Sequence, residues 1–221
     1  MKLYLSSYMI GDHADRLLAM AGHNARMAII TNALDAFPME NRFQYTRTVF
    51  DPVEYFLGQG FDPELVDLRY YFGRAAALRE SLRRYKIVWA LGGNTFLLRR
   101  AMRESGFDSF IAEMLRDEGI IYGGWSAGAC VAAPSLRGIA LMDEPEAMAD
   151  GYSSRDIVWE GLDLVPFSIV PHVQSNHPES ALASKAVSYL ESRGLPYQPL
   201  RDGDVVMKDG GDVTVLLAKP N

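Results

Sequence analysis

Residues 119–133 read GIIYGGWSAGACVAA, and this stretch decides the fold. The first five residues predict a buried strand, and the run that begins at Ala127 predicts a short helix. Between them, residues 124–128 (GWSAG) match the pattern G-x-S-x-G. A serine in a sharp strand-to-helix turn is typical of a nucleophile raised above the edge of a sheet. The stretch therefore predicts an α/β fold with Ser126 as nucleophile; the alternative is a glycine turn needed only for tight packing.

Short apolar runs alternate with helix-like segments on either side of this stretch. The pattern predicts strands at residues 2–7, 27–31, 64–68, 87–91, 119–123 and 168–173, helices at 12–22, 41–57, 75–84, 95–102, 107–117 and 179–192, and a hairpin from 204–208 and 213–218. Pro52 is expected to break or kink the second helix. Apolar strands that alternate with helices predict a mostly parallel sheet covered on both faces.

The composition excludes several classes of protein. The 221 residues carry 22 Lys and Arg against 28 Asp and Glu, a net charge of −6, which argues against a nucleic-acid partner. Cys130 is the single cysteine, so neither a disulfide framework nor a multi-cysteine metal site is expected. The apolar runs are shorter than the ~20 residues of a membrane helix, and no signal peptide is recognisable. We expect a single domain over residues 1–221, cytoplasmic and without a membrane partner.

A serine nucleophile requires a base, and the chain offers four histidines. They are His13, His23, His172 and His177. His172 ends the predicted strand 168–173, which would place it at the same sheet edge as Ser126, and we predict that it is the base. His177 lies at a predicted helix start. A metal site formed by these two histidines is not expected, because no cysteine or further histidine is near them.

The acid that orients the base is left open by the sequence. The candidates are Asp143, Glu144, Asp163, Asp202 and Asp204. Asp202 lies in a turn that enters a late strand, from which its carboxylate could face His172. The same residues also fit an ordinary Asp-Gly turn.

A second glycine pair follows the predicted strand 87–91. In Gly92-Gly93-Asn94-Thr95, Asn94 suits the N-cap of the next helix. The backbone N–H of Gly93 would be one oxyanion donor and that of Ala127 the other. Alone, the motif fits a glycine turn with a good cap equally well.

Together these motifs resemble a known family. GGNTF at residues 92–96, SAGA at 126–129 and Pro171-His172 are similar to the motifs of the peptidase E family, peptidase family S51. The resemblance extends from the first strand to about Asp202. It implies a three-layer sandwich with a mostly parallel sheet, like class I glutamine amidotransferases and flavodoxin. It also implies a Ser126–His172–Asp202 triad that hydrolyses short peptides through an acyl-enzyme, with no cofactor.

The chain departs from this family in two places. Aspartyl dipeptidases carry an arginine in the helix after the catalytic histidine, whereas residues 177–186 (HPESALASKA) contain Lys185 and no arginine. Cleavage after aspartate is therefore open, and the candidate substrate contacts are Asn94, Trp125, His177 and Lys185. The acid here is also one methylene shorter than the glutamate of the dipeptidases, and an earlier acid position would fall near residues 141–144.

The sequence also bears on alternative functions and on two further segments. A cysteine-nucleophile amidotransferase is disfavoured, because the elbow holds serine and Gln174 stands where a glutamate would be required. An esterase or amidase for a non-peptide molecule and a non-catalytic ligand-binding protein are the competing functions. Residues 70–72 (YYF) are a candidate homodimer surface, and the acidic segment 142–161 has no assigned role.

Overall fold

Five parallel strands and an antiparallel hairpin form the central sheet. The structure, a computed structural model, describes residues 1–23, 25–37 and 50–220. The strands are β1 (Lys2–Ser6), β2 (Arg26–Ile30), β3 (Asp62–Val66), β4 (Ile87–Ala90), β5 (Ile121–Trp125), β6 (Ser168–Val170), β7 (Tyr197–Pro199), β8 (Val205–Asp209) and β9 (Val213–Leu216). The sheet has the order β3-β2-β4-β5-β1-β8-β9, in which β8 and β9 are the antiparallel members.

Helices cover both faces of this sheet. They are α1 (Ala14–Ala21), α2 (Pro52–Gly58), α3 (Ala75–Leu82), α4 (Thr95–Glu104), α5 (Ile111–Asp117), α6 (Ala127–Cys130) and α7 (Ser180–Ser192). Successive strand residues face opposite sides, so Leu3 and Leu5 join the core beneath α3, α4 and α5, while Tyr4 joins the core beneath α1 and α2. The predicted α/β sandwich with a mostly parallel sheet is confirmed.

Pro52 begins a helix instead of breaking one. It occupies the first turn of α2, where a missing N–H costs nothing, and the Asp51 carboxylate accepts hydrogen bonds from the N–H groups of Val53 and Glu54. The earlier part of the predicted helix, residues 41–49, lies outside the described residues. Among the helices that are described, none is long and apolar enough to cross a membrane.

The last third of the chain differs from the prediction in one important respect. The structure contains a strand, β7, that the sequence did not predict. It pairs with β6, and the two form a separate parallel ribbon. The expectation that His172 follows a strand of the central sheet is therefore wrong. A three-residue strand carries no pattern that shows which partner it pairs with, because that choice depends on the available backbone edges.

Two buried arginines of α4 hold the acidic segment 142–161. Arg100 is 1% exposed and donates to the backbone carbonyl oxygen of Ala147 at 2.7 Å. Arg99 donates to the carbonyl oxygen of Glu160 at 2.8 Å and pairs with Asp108 at 2.8 Å. Burial lowers the pKa of both guanidinium groups. The segment is thus fixed against the helix that follows the Gly92-Gly93 turn.

Small residues are required where α6 rests on β4. A Cβ atom on Gly128 would lie 2.1 Å from the backbone oxygen of Ala90, and one on Gly124 would lie 2.7 Å from the carbonyl carbon of Gly128. Neither contact can be relieved by a side-chain rotation. The G-x-S-x-G spacing is therefore a packing requirement as well as a chemical motif.

Gly128→Ala is expected to lower the free energy of unfolding by about 3 kcal/mol, because the added methyl group forces α6 away from β4. Urea denaturation monitored by circular dichroism measures this. The matched control is Gly58→Ala at the end of α2, where no atom lies within 4 Å of the added methyl. Alanine there is expected to be neutral or stabilising by up to about 1 kcal/mol. Equal effects at the two positions would contradict the packing argument.

Candidate active site

Ser126 occupies a strained turn between β5 and α6. Its backbone dihedrals are φ 48° and ψ −115°, in a region that side chains rarely adopt. The turn is held by hydrogen bonds from the Ser126 N–H to the Ser7 oxygen at 3.1 Å, and from the N–H groups of Ala129 and Cys130 to the Ser126 oxygen, both 2.9 Å. This is the geometry of a nucleophile elbow, and it places Ser126 in the wall of a cavity.

His172 lies in the wall of the same cavity and is paired with a carboxylate. Its side chain is 1% exposed, and its Nδ1 atom lies 2.8 Å from Oδ1 of Asp202. An ionised carboxylate only accepts hydrogen bonds, so Nδ1 carries the proton and Nε2 keeps a free lone pair. His172 therefore has the tautomer that a general base requires.

Asp202 is held ionised by its neighbours. Burial by itself would raise the pKa of the carboxyl group, but hydrogen bonds from His172 and Ser7 outweigh it and the pKa is lowered. The donor from Ser7 is its hydroxyl, at 2.8 Å from Oδ1, and the backbone N–H of Asp202 donates to Ser175. Asp202 is thus an ionised carboxylate in contact with His172.

The other acid candidates have different partners. Asp143 accepts a hydrogen bond from the Thr95 backbone N–H at 2.9 Å, at the start of α4. Asp204 accepts from the backbone N–H groups of Arg201 and Ala218. Asp163 has a left-handed backbone with φ 53° and, like Glu144, has an exposed side chain. None of these carboxylates is hydrogen bonded to His172.

The Gly92-Gly93 turn packs against the elbow that carries Ser126. A Cβ atom on Gly92 would lie 3.2 Å from the Ser126 Cβ and 2.7 Å from the Trp125 ring. Gly93 has φ 132°, and a Cβ there would meet the Ala33 oxygen at 2.5 Å. Within the described ranges, the backbone N–H groups of Gly93 and Ala127 have no hydrogen-bond acceptor. Both are therefore free to bind an oxyanion.

A second histidine and an unpredicted glutamate complete this end of the cavity. His177 stacks on His172 with ring centroids 3.7 Å apart and an interplanar angle of 8°. Burial, and then the proximity of His172, lowers the pKa of His177. Glu179 is partly exposed, and its Oε2 lies 3.8 Å from the His172 Nε2. No sequence pattern singled out Glu179 beyond its position at the start of a predicted helix.

His172, His177 and Glu179 also form a group of potential metal ligands. One ligand atom from each lies within 4.8 Å of the others, and the described residues contain no other such group. However, His177 Nδ1 already accepts the Glu179 N–H at 3.2 Å. The two rings are parallel, so their lone pairs do not converge on one point as a tetrahedral ion requires. The arrangement fits a metal poorly.

The cavity has a volume of about 900 Å³ and extends from the histidines to the edge of the sheet. Next to Ser126 its walls are largely apolar, with Leu34, Phe50, Leu91 and Trp125. At the far end lie two arginines and aromatic side chains. Arg69 pairs with Asp67 and Asp35, and Arg84 pairs with Glu64.

The predicted substrate contacts divide into two groups. Trp125 and His177 line the cavity, although Trp125 also stacks on Phe56 at 5.8 Å. Asn94 is the N-cap of α4, where its oxygen accepts the Leu97 N–H and its amide donates to the Glu144 oxygen. Lys185 is exposed on α7. Neither Asn94 nor Lys185 lines the cavity, so the structure gives no support for these two as substrate contacts.

Cys130, Tyr71 and Phe72, which the sequence also singled out, contribute to packing. Cys130 is buried, and burial raises the pKa of its thiol, which is the opposite of what a thiolate nucleophile needs. Tyr71 and Phe72 pack against the core, and Tyr70 is 71% exposed at the cavity rim. The homodimer expected at residues 70–72 stays a prediction.

A strained serine after a parallel strand, beside a buried histidine–carboxylate pair, is an arrangement found in hydrolases that transfer acyl groups. A family model for peptidase family S51 matches residues 13–216, and the chain belongs to this family. The protein is therefore a peptidase of a serine-type family, and the predicted resemblance is confirmed.

Individual relatives agree with this assignment. A probable alpha-aspartyl dipeptidase of Drosophila melanogaster is 30% identical over 190 residues, which cover 84% of this chain and 71% of the relative. Peptidase E of Salmonella arizonae is 36% identical over 106 residues, but the match covers only 48% of this chain and 42% of that protein. A solved structure from Listeria monocytogenes EGD-e, described as that of a candidate peptidase E, superposes with a TM-score of 0.76 at 21% identity. It covers 99% of this chain and 98% of its own, and shows the same fold.

Asp143 is expected to make stability depend on pH. Burial raises its pKa from 3.8 to about 6, so the folded protein binds this proton more tightly than the unfolded chain. The stability gained from protonation is present below pH 3.8 and is lost as the pH rises to about 6. Asp143→Asn should therefore be more stable than the wild type at about pH 8, by up to about 3 kcal/mol.

Urea denaturation at about pH 8 and about pH 4.5 checks this expectation. The difference between Asp143→Asn and the wild type should shrink at the lower pH. Glu144→Gln, which alters the adjacent exposed carboxylate, is the control and should show no such change. A pH-independent difference for Asp143→Asn would contradict the assigned cause.

Proposed function

We propose that this peptidase hydrolyses short peptides through Ser126 as nucleophile, His172 as general base and Asp202 as orienting acid. The observation that carries the proposal is the 2.8 Å contact between His172 and Asp202, in a cavity that Ser126 also lines. The Ser126 hydroxyl does not cap α6, and among the described residues it has no hydrogen-bond partner. We infer that its contact with His172 Nε2 forms when substrate closes the site, as is common for catalytic hydrogen bonds.

The reaction would follow from these positions. His172 Nε2 takes the proton of the Ser126 hydroxyl as its oxygen attacks the scissile carbonyl carbon. The N–H groups of Gly93 and Ala127 stabilise the negative charge that develops on the carbonyl oxygen, which is worth about 3–4 kcal/mol per donor. His172 then gives the proton to the leaving amine, and water, activated by the same histidine, hydrolyses the acyl-enzyme.

Glu179 favours a substrate with a free amino terminus. Its Oε2 lies 3.8 Å from Nε2 of His172, the atom that would take the Ser126 proton, and Glu179 also lines the cavity. In the first residue of a peptide, the α-ammonium group is only two bonds from the carbonyl carbon that Ser126 would attack. A carboxylate at this distance can therefore pair with the ammonium group while the carbonyl lies in the oxyanion site. This makes the proposed activity that of a dipeptidase or related exopeptidase.

The walls beside Ser126 favour an apolar first side chain. Leu91 and Phe50 offer no hydrogen bond to a carboxylate and Trp125 offers only its indole N–H, so burial of a charge against these walls is costly. The described cations of the cavity, Arg69 and Arg84, are already engaged by carboxylates. We therefore propose that this chain does not share the preference for N-terminal aspartate that the name of its Drosophila relative states.

The first test compares wild type and Ser126→Ala on X-Leu dipeptides and with a serine-directed phosphonate. Wild type should cleave Phe-Leu and Leu-Leu in preference to Asp-Leu, and the phosphonate should form one covalent adduct seen by mass spectrometry. Ser126→Ala should lose both. Labelling without hydrolysis of any dipeptide would favour an esterase or amidase for another molecule. A preference for Asp-Leu would overturn the apolar assignment.

The same assay separates the two acids. Asp202→Asn should lower kcat by at least about 100-fold, because the amide donates to Nδ1 and enforces the wrong histidine tautomer. Asp143→Asn, a matched change 59 residues earlier in the sequence, should keep its activity. If Asp143→Asn lost activity while Asp202→Asn kept it, the orienting acid would be Asp143.

Glu179→Gln is expected to raise KM for dipeptides about 10- to 100-fold, since it removes a charge but keeps the size of the side chain. Hydrolysis of N-acetylated dipeptides, which have no ammonium group, should be unchanged. Glu54→Gln, on the exposed side of α2, controls for the loss of one negative charge. If free and acetylated peptides lose activity equally, Glu179 does not bind the ammonium group.

A further inference from the structure

Ser7 joins the three elements that carry the proposed triad. It follows β1 directly and is fully buried. Its hydroxyl donates to Oδ1 of Asp202 at 2.8 Å and accepts the backbone N–H of His172 at 2.8 Å. Its backbone oxygen accepts the N–H of Ser126 at 3.1 Å. The contacts span 119 to 195 residues of sequence, so no local pattern predicts them.

The side-chain contacts of Ser7 close a ring of hydrogen bonds around His172. The ring runs from the His172 N–H to the Ser7 hydroxyl, from there to Oδ1 of Asp202, and back to Nδ1 of His172, with each bond 2.8 Å long. It links the backbone of the histidine to its own imidazole through a single carboxylate oxygen. The orientation of the imidazole is thereby fixed relative to a backbone that has φ 62°.

We propose that Ser7 is a positioning residue, which orients Asp202 towards His172 and anchors the left-handed backbone of His172 at the end of β1. The role rests on the proposed function, because it acts through the histidine and the acid and not on substrate. A hydroxyl suits this place because it accepts and donates at once. Alanine can do neither, whereas threonine keeps a hydroxyl on the same carbon.

The charge of Asp202 depends on the same contact. The hydrogen bond from Ser7 is one of those that lower the pKa of this carboxyl group against the effect of burial. Loss of the hydroxyl removes a donor from the carboxylate and should raise that pKa. It also leaves the carboxylate free to rotate away from Nδ1. A role limited to filling space would produce neither effect.

The test compares Ser7→Ala, Ser7→Thr and Ser6→Ala with the wild type. Ser6→Ala is the matched control, because Ser6 is also fully buried at the end of β1 but its hydroxyl donates to the backbone oxygens of Met9 and Gly124. Ser7→Ala should lower kcat for a cleaved dipeptide about 10- to 100-fold with KM within about twofold. Ser7→Thr, which keeps a hydroxyl, should recover most of the loss, and Ser6→Ala should keep its activity.

A second measurement does not depend on turnover. Carbon-13 NMR of aspartate-labelled protein, with the Asp202 signal assigned from Asp202→Asn, gives the pKa of this carboxyl group in each variant. It should rise in Ser7→Ala and remain in place in Ser6→Ala and Ser7→Thr. If it does not rise in Ser7→Ala, or rises equally in Ser6→Ala, the proposal is overturned. Failure of the proposed function is recognised separately, since the wild type would then hydrolyse no dipeptide, whereas the pKa comparison requires no turnover.

Discussion

The backbone of Ser126 is held in a conformation that costs about 1–3 kcal/mol, and the centre of the molecule is arranged to enforce it. β5 ends and α6 begins at this residue, while the close approach of Gly128 to Ala90 leaves no room for a relaxed turn. The hydrogen bond from Ser126 to the end of β1 fixes it from the other side. The surrounding strands are buried, so their packing offsets the local strain.

The β6–β7 ribbon, which is not part of the central sheet, brings His172 to the cavity that Ser126 lines. The β6–β7 ribbon ends at His172, whose own backbone is also left-handed, and Asp202 comes from the turn between β7 and β8. Two strained residues therefore face one cavity, each supported by hydrogen bonds to the end of β1. The imidazole of His172 is thus positioned by a network of hydrogen bonds and not by the geometry of a strand.

The charged side chains around this cavity differ from those that the resemblance to aspartyl dipeptidases implies. A carboxylate, Glu179, lies beside His172, and the described arginines of the cavity are paired with carboxylates of their own. Lys185, which lies in the helix where the dipeptidases carry an arginine, is exposed and does not line the cavity. The fold is thus shared with the family, while the proposed substrate preference depends on a few charges around the cavity.

The sequence by itself determined the alternation of strands and helices, the elbow at Ser126, the adjacent glycine turn and Asn94 as a helix cap, because each depends on residues within a few positions. It also singled out His172 and Asp202, but only the tertiary structure decided that they touch and that Asp143 binds Thr95 instead. Strand β7, the separate ribbon, Glu179 at the histidine and the ring through Ser7 were likewise decided in three dimensions. Their contacts join segments distant in sequence, and such contacts depend on backbone pairing and burial, for which local residue patterns carry no information.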